Sequence, residues 1–186
     1  MIDTVLAFDK SLFLILNNLG SEFWDPIWIL ISNKYLMLII ITCAYIFCLN
    51  TCDKKHSLFI LLSLLICVSI TNEVSDLFKN YFMRLRPCWD PEISYMSRYV
   101  NQGGKFGFFS AHAANTSVLV SFLLFRFPQV NNLFKFFLIL WLLLVCYSRI
   151  YLGKHYPLDI IFGVLIGYII AILIFKLYTL VIKKST

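Results

Sequence analysis

His155 and Asp159 stand four residues apart, introduced by Ser148-Arg149, and two further polar sets precede them in order: Lys79 with Arg86-Pro87 seven residues on, then Ser110-Ala111-His112. Each residue type has a use on a phosphoryl group. An imidazole with one nitrogen held by a carboxylate presents the other as a directed nucleophile, and on a helix positions i and i+4 share the face such a pair needs. A guanidinium binds two phosphate oxygens in a fork while an ammonium adds a point charge, which suits Arg86, Arg149 and Lys79. Ser110 is a good N-cap, so a helix opening at Ala111 offers an anion unpaired backbone N–H groups and a favourable dipole. His112, on that first turn, is placed to protonate a leaving oxygen. With residue frequencies of about 5%, the four fixed positions of the last set recur by chance in a chain this long at a rate on the order of one in a thousand. Together the three sets imply phosphotransfer. Singly they have plainer readings: snorkelling cations, a solvated histidine, an Asp–His pair capping a helix. His56, beside Lys54 and Lys55, is assigned to that plainer class.

The elements that position these residues lie in a membrane. Apolar residues make up 60% of the 186, aromatics 17%, and the mean hydropathy is +0.82, against about 45–50% apolar in a soluble domain. The expectation is one domain, all-α, built as a polytopic transmembrane helix bundle. Charge-poor stretches run from Tyr35 to Cys52, His56 to Asn72, Phe106 to Phe125, Phe136 to Ser148 and Ile160 to Phe175. A span needs roughly 20 residues, so several of these reach that length only by including neighbours such as Glu73, Asp76 and Lys79. Charges at that depth face protein or water, which puts a polar site at the end of the second span. Residues 1–33 are read as two short interfacial helices, the second starting near Pro26 with Trp24 and Trp28 at headgroup level. That leaves about five spans, or six if residues 11–33 cross.

Five spans gather the three polar sets at one end of the bundle. Lys54, Lys55, Arg126, Lys135, Lys176, Lys183 and Lys184 fall at the other end; Lys10, Lys34, Arg84, Arg98, Lys105 and Lys154 join the polar sets. Seven against six is a weak vote for an intracellular tail. The net charge of +6 fits an anionic partner, membrane lipid included, and no nucleic acid is expected. The six cysteines, Cys43, Cys48, Cys52, Cys67, Cys88 and Cys146, have no metal-binding spacing and read as small apolar residues, with Cys88 in a loop. Asp90, Glu92, Glu73 and Asp76 form no ligand pattern, so neither metal nor cofactor is expected.

On these three motifs, in order and register, the chain resembles the type 2 phosphatidic acid phosphatase superfamily, the membrane lipid phosphatases that share a site with vanadium haloperoxidases. The resemblance covers roughly residues 55 to 175. It implies a metal-independent five- or six-helix bundle in the cytoplasmic membrane with its site facing outside. It also implies roles: Lys79, Arg86 and Arg149 bind phosphate, Ser110 and the adjacent Ala111 N–H hold its oxygens, and His155 attacks phosphorus to form a phosphohistidine. Asp159 then orients His155, His112 protonates the departing alcohol, and water hydrolyses the intermediate. Two positions depart from the family's usual Pro-Ser-Gly-His: Phe109 replaces Pro and Ala111 replaces Gly. If the position required φ > 0, Ala111 would be strained. Between the first two motifs, Cys88 to Phe109 carries Gly103-Gly104, Arg98, Lys105 and many aromatics, and reads equally as a lid or as an interfacial loop. Gly104 to Thr116 is similar to small Gram-negative members that include lipid A phosphatases and undecaprenyl pyrophosphate phosphatases. Alternatives within reach of the sequence are a phosphotransferase of the same superfamily and a silent membrane scaffold or transporter.

Overall fold

A computed structural model describes residues 2–100 and 102–183. Lys184, counted above with the tail, lies outside the described residues. Two short helices, α1 (Ile2–Asn17) and α2 (Asp25–Ile31), lead into α3 (Lys34–Thr51), α4 (Lys54–Phe82), α5 (Ala111–Arg126), α6 (Asn132–Tyr151) and α7 (Pro157–Lys183). Side-chain oxygens start four of the five long helices. Asn33 accepts from Tyr35 N, Asp53 from His56 N, Ser110 from Ala113 N and Asn131 from Phe134 N, each satisfying a donor that the helix itself leaves open. The His56 ring also meets Asp53, 2.6 Å away, so the third histidine belongs to a helix cap. Helix α7 opens instead on Pro157, whose fixed φ and missing N–H suit the first helical position. Helix α4 stops at Met83, which takes a left-handed φ of 46°.

Helices α3, α4, α6 and α7 are long and apolar enough to cross a membrane. The expected fifth span differs. Its apolar stretch starts at Phe106, but the helix begins only at Ala111 and has 16 residues, about 24 Å at 1.5 Å per residue. Residues 113–120 are all buried, because α5 packs on α4, α6 and α7. A helix enclosed by protein is freed from matching the thickness of the hydrocarbon. Large apolar side chains on the outer helices, among them Leu38, Phe136, Leu143, Leu165 and Leu173, are exposed, as a lipid-facing surface requires.

Small residues and polar cross-links hold α5 in place, as expected where the surrounding lipid removes most of the hydrophobic drive between helices. Ser117 Oγ donates to Val164 O at 2.8 Å and Asn115 Nδ2 to Asn72 Oδ1 at 2.8 Å. On α7, Gly163 and Gly167 are spaced as a GxxxG face. A Cβ on Gly163 would lie 2.7 Å from Ser110 O, and one on Gly167 would overlap Ala114 O. Gly167→Ala is therefore expected to destabilise the bundle by about 1–3 kcal/mol. Thermal unfolding in detergent checks this, and an unchanged midpoint would refute it.

Helix α1 packs on α6 and α7, and α2 on α6, at the end bearing the 83–110 connection and the turn before α7. Asn17 seals that junction: its Nδ2 donates to Ile150 O, Tyr151 O and Arg98 O, and its Oδ1 accepts from Arg98 N at 2.7 Å. The second short helix includes Pro26, as the sequence suggests.

Candidate active site

The 83–110 connection folds back on itself before entering α5. Leu85 and Phe106 form an antiparallel bridge, Arg86 N donates to Lys105 O and Gly107 N to Arg84 O. The strand-like pairing sets Arg86 beside the segment that ends in Ser110. From there Ser110 N donates to Asp159 O at 3.0 Å, and Ser75 Oγ to Phe109 O at 3.2 Å. The openings of α5 and α7 are thus joined through main chain, which brings the second and third motifs together.

Ser110 is fully buried and its hydroxyl accepts from Ala113 N at 3.4 Å. The hydroxyl is thus engaged as a cap, while Ala111 and His112 occupy the first two helical positions. Met83 is the one non-glycine residue with positive φ among the described residues. Ala111 therefore carries no left-handed strain, and its replacement of the family's Gly is conformationally ordinary. His112 is half-buried and faces a crevice lined by Ile31, Asn33, Trp141 and Val145.

His155 is 2% exposed and lies in the turn before α7, not on the helix that carries Asp159. Their approach, Nδ1 to Oδ2 at 3.5 Å, is made by that turn and by Asp159 Oδ2 accepting from Tyr156 N at 3.0 Å. The shared helical face expected from the spacing is not its cause. His155 Nδ1 is buried without a hydrogen bond, and the opposite ring nitrogen is the one turned from Asp159. Burial, then Arg149, Arg86 and Lys79, push the imidazole well below its ordinary pKa. The ring is consequently neutral at physiological pH, as a nucleophile must be.

The three expected cations therefore all act on one imidazole. Arg149 sits in the last turn of α6, not in the following loop, because α6 continues to Tyr151. Arg149 is 8% exposed; its guanidinium donates through Nη1 to Ser32 Oγ and leaves Nε buried without a partner. Arg86 Nε donates to Phe106 O at 3.0 Å, leaving its terminal nitrogens free of that contact. Lys79, in the last turn of α4, pairs with Asp76 at 2.9 Å. Gly107 closes the centre: a Cβ there would lie 2.8 Å from Arg86 Cγ and within 3.6 Å of both Asp159 Oδ2 and His155 Nδ1.

Two residues outside the three motifs join this centre. Lys154 is 6% exposed, and burial followed by Arg149 pushes its ammonium down to about 8. Its position beside His155 was the available signal. Arg84 donates to Asp159 Oδ1 at 2.6 Å, and nothing in its spacing distinguishes it from an interfacial cation. Three of the four carboxylates considered as metal ligands have other partners. Lys10 takes Asp90 at 2.8 Å and Glu92 at 2.6 Å, and Asp76 takes Lys79. Cys88 lies buried in a short 3-10 turn at residues 87–89. Arg98 ties the following stretch to Asp25 of α2, while Tyr95 and Tyr99 remain exposed.

The arrangement offers a neutral imidazole, a buried guanidinium with an unsatisfied donor and the N-terminus of α5, all suited to a tetrahedral dianion. The family model of the PAP2 superfamily matches residues 57–183. A lipid A 4'-phosphatase of Porphyromonas gingivalis is 35% identical over 179 residues, 94% of this chain and 74% of the relative. One of Bacteroides thetaiotaomicron is 31% identical over 172 residues, 90% and 75% respectively. Among solved structures, Aquifex aeolicus LpxE superposes with a TM-score of 0.72 at 23% identity, covering 89% of this chain and 93% of that one. A transmembrane PAP2-type phosphatidylglycerolphosphate phosphatase from Bacillus subtilis gives 0.71 at 17% identity, covering 92% and 84%.

Proposed function

The chain belongs to the PAP2 superfamily and is a multi-pass membrane lipid phosphatase, and from that premise we propose that it removes the 4'-phosphate of a lipid A-type glycolipid through a phosphohistidine on His155, without a metal. The observation that carries the chemistry is the buried imidazole of His155, with Asp159 3.5 Å from its Nδ1 and the unsatisfied Nε of the buried Arg149 in the same centre. The glycolipid is supported by the two lipid A 4'-phosphatases that match nine-tenths or more of the chain. An aromatic wall of Phe78, Phe82, Phe108 and Phe162, adjoining Phe109, suits the acyl part of such a substrate.

In the proposed sequence, Arg86, Arg149 and Lys79 bind the non-bridging oxygens together with the Ala111 and His112 N–H groups. His155 Nε2 forms the N–P bond as the P–O bond to the sugar breaks, and His112 gives its proton to the departing alkoxide. By themselves, burial and the neighbouring cations hold His112 down to about 3, and the charge of the dianionic substrate is what raises it into the protonated form this step uses. Asp159 offsets the charge that develops on the His155 ring. Water, losing a proton to His112, then attacks the phosphohistidine and releases inorganic phosphate. Cations already present supply the charge neutralisation that a metal would otherwise bring. The site faces the outside of the cytoplasmic membrane in this reading, with α1 and α2 lying in the interfacial layer.

Purified protein with lipid A bearing a 4'-phosphate, in detergent micelles with excess EDTA, is expected to release inorganic phosphate and to be inhibited by vanadate, a phosphorus transition-state mimic. Activity lost in EDTA and restored by magnesium would refute metal independence. Label passing to an acceptor lipid in place of water would make the protein a phosphotransferase.

A further inference from the structure

We propose that Arg84 is a positioning residue of this reaction: clamped by Asp9 of α1, it holds one oxygen of Asp159 so that the other faces His155. The inference rests on the phosphohistidine reading and assigns to the N-terminal helix a part in the active centre. Asp9 is 2% exposed and Asp159 is fully buried. Arg84 bridges them as a fork, Nη2 to Asp9 Oδ2 and Nη1 to Asp159 Oδ1, both at 2.6 Å. The other oxygen of each carboxylate takes a main-chain donor from the same turn. Asp9 Oδ1 accepts from Leu158 N at 2.9 Å, and Asp159 Oδ2 accepts from Tyr156 N at 3.0 Å while lying 3.5 Å from His155 Nδ1. Both carboxylates are thus fixed in rotation, and only one oxygen of Asp159 is left toward the imidazole.

The surroundings stiffen the same unit. The Arg84 guanidinium lies 4.2 Å over the Tyr156 ring, Tyr156 OH donates to Asp90 Oδ2 at 2.7 Å, and Lys10 pairs with Asp90. Neighbouring residues Asp9 and Lys10 therefore reach the catalytic turn by two separate routes. Main-chain pairing of Arg84 O with Gly107 N fixes the guanidinium's base. A buried guanidinium between two carboxylates is tolerated only with such geometry, because burying unpaired charge is costly. Burial alone would lower the Arg84 pKa, but Asp159 and Asp9 outweigh it and hold the group above its ordinary value.

Arg84 has a second effect. By engaging Asp159 it draws that negative charge away from His155, which also feels Arg149, Arg86 and Lys79 and stands beside Lys154, with His112 opposite on α5. Removing the guanidinium takes one cation from the centre around the imidazole, so His155 titrates at higher pH. Meanwhile Asp159 loses the partner that fixes its rotation, so turnover falls even though the ring becomes more basic. A residue that merely stabilises the fold produces neither the titration shift nor a loss confined to kcat.

The test compares Arg84→Gln, Arg84→Lys and Asp9→Asn with the parent protein on lipid A bearing a 4'-phosphate in micelles. It also follows His155 by nitrogen-15 NMR of histidine-labelled protein, feasible because the chain has three histidines. Arg84→Gln is expected to lower kcat by about 10–100-fold with KM within about 3-fold, the range typical of groups that orient a reacting residue. His155 should then titrate at higher pH. Arg84→Lys restores the charge but not the fork, so the titration returns while kcat recovers in part. Asp9→Asn keeps an acceptor for Leu158 N and produces a smaller loss of the same kind. Parental kcat in Arg84→Gln would overturn the proposal. So would a loss of activity that tracks a lowered melting point while the His155 titration stays in place. A parent protein that leaves lipid A uncleaved, with the titration still moving on Arg84→Gln, would refute the substrate reading and uphold the clamp.

Discussion

Replacement of His155 by Ala is expected to reduce turnover by about 10⁴-fold or more, the scale seen when a covalent nucleophile is removed. The protein should still be extracted as a folded bundle, because His155 lies in the turn before α7 and the long helices run elsewhere. Its ring is nevertheless 2% exposed, so Ala leaves a void, and His155→Gln provides the control of similar volume. Both variants should fail to form an acid-labile, alkali-stable phosphoryl-protein in rapid-quench experiments with labelled lipid. Substantial turnover by either would remove His155 from the mechanism. The neutral state of this ring also sets a pH dependence. Burial and three cations keep its pKa well below the ordinary value, so the nucleophile remains competent into acid, and the acid limb of kcat/KM should lie well below pH 6.5. At the alkaline end Lys154, at about 8, loses its charge as pH rises, and phosphate binding should weaken there through KM.

The second large effect is expected at Arg149. This guanidinium is buried at the foot of α6, makes one contact to Ser32 and keeps Nε unsatisfied. A buried orphan donor on a cation is costly unless an anion completes it, and a forked pair of charge-assisted bonds to phosphate does so. Arg149→Ala should lower kcat/KM by about 10³-fold, comparable to removing an oxyanion donor. Arg149→Lys should recover little of this, because an ammonium at the same position supplies charge without the planar fork. Vanadate inhibition, read in parallel, should weaken in both variants. Equal activity of Arg149→Lys and the parent would show that Arg149 contributes charge alone.

Much of this protein is legible in the order of its residues. The membrane bundle follows from composition and from the length of the apolar runs, and the motifs follow from residue chemistry at fixed spacing, since an N-cap, a forked cation and an imidazole are recognisable one at a time. Ser110 is such a case: its capping role is local, and α5 starts where it says. Elements that depend on partners distant in sequence were harder to read. The apolar run from Phe106 suggested a span, yet main-chain pairing of 105–107 with 84–86 takes its first residues into an extended segment. The Gly163–Gly167 face of α7 likewise takes its meaning from Ala114 lying opposite.

The division is sharpest around Asp159. Sequence by itself determined that a carboxylate would accompany His155, because the two are four residues apart and each is costly in a membrane without a partner. It did not determine how they meet, and the helical face inferred from that spacing is replaced by a turn. Nor did it single out Arg84 or Asp9, which are 75 residues apart and 75 and 150 residues from Asp159. Their significance comes from the packing of α1 across the start of α7, which buries both carboxylates and leaves one guanidinium to bridge them. Burial turns an ordinary surface charge into a constrained one, and burial is a property of the assembled helices that no local stretch of residues contains.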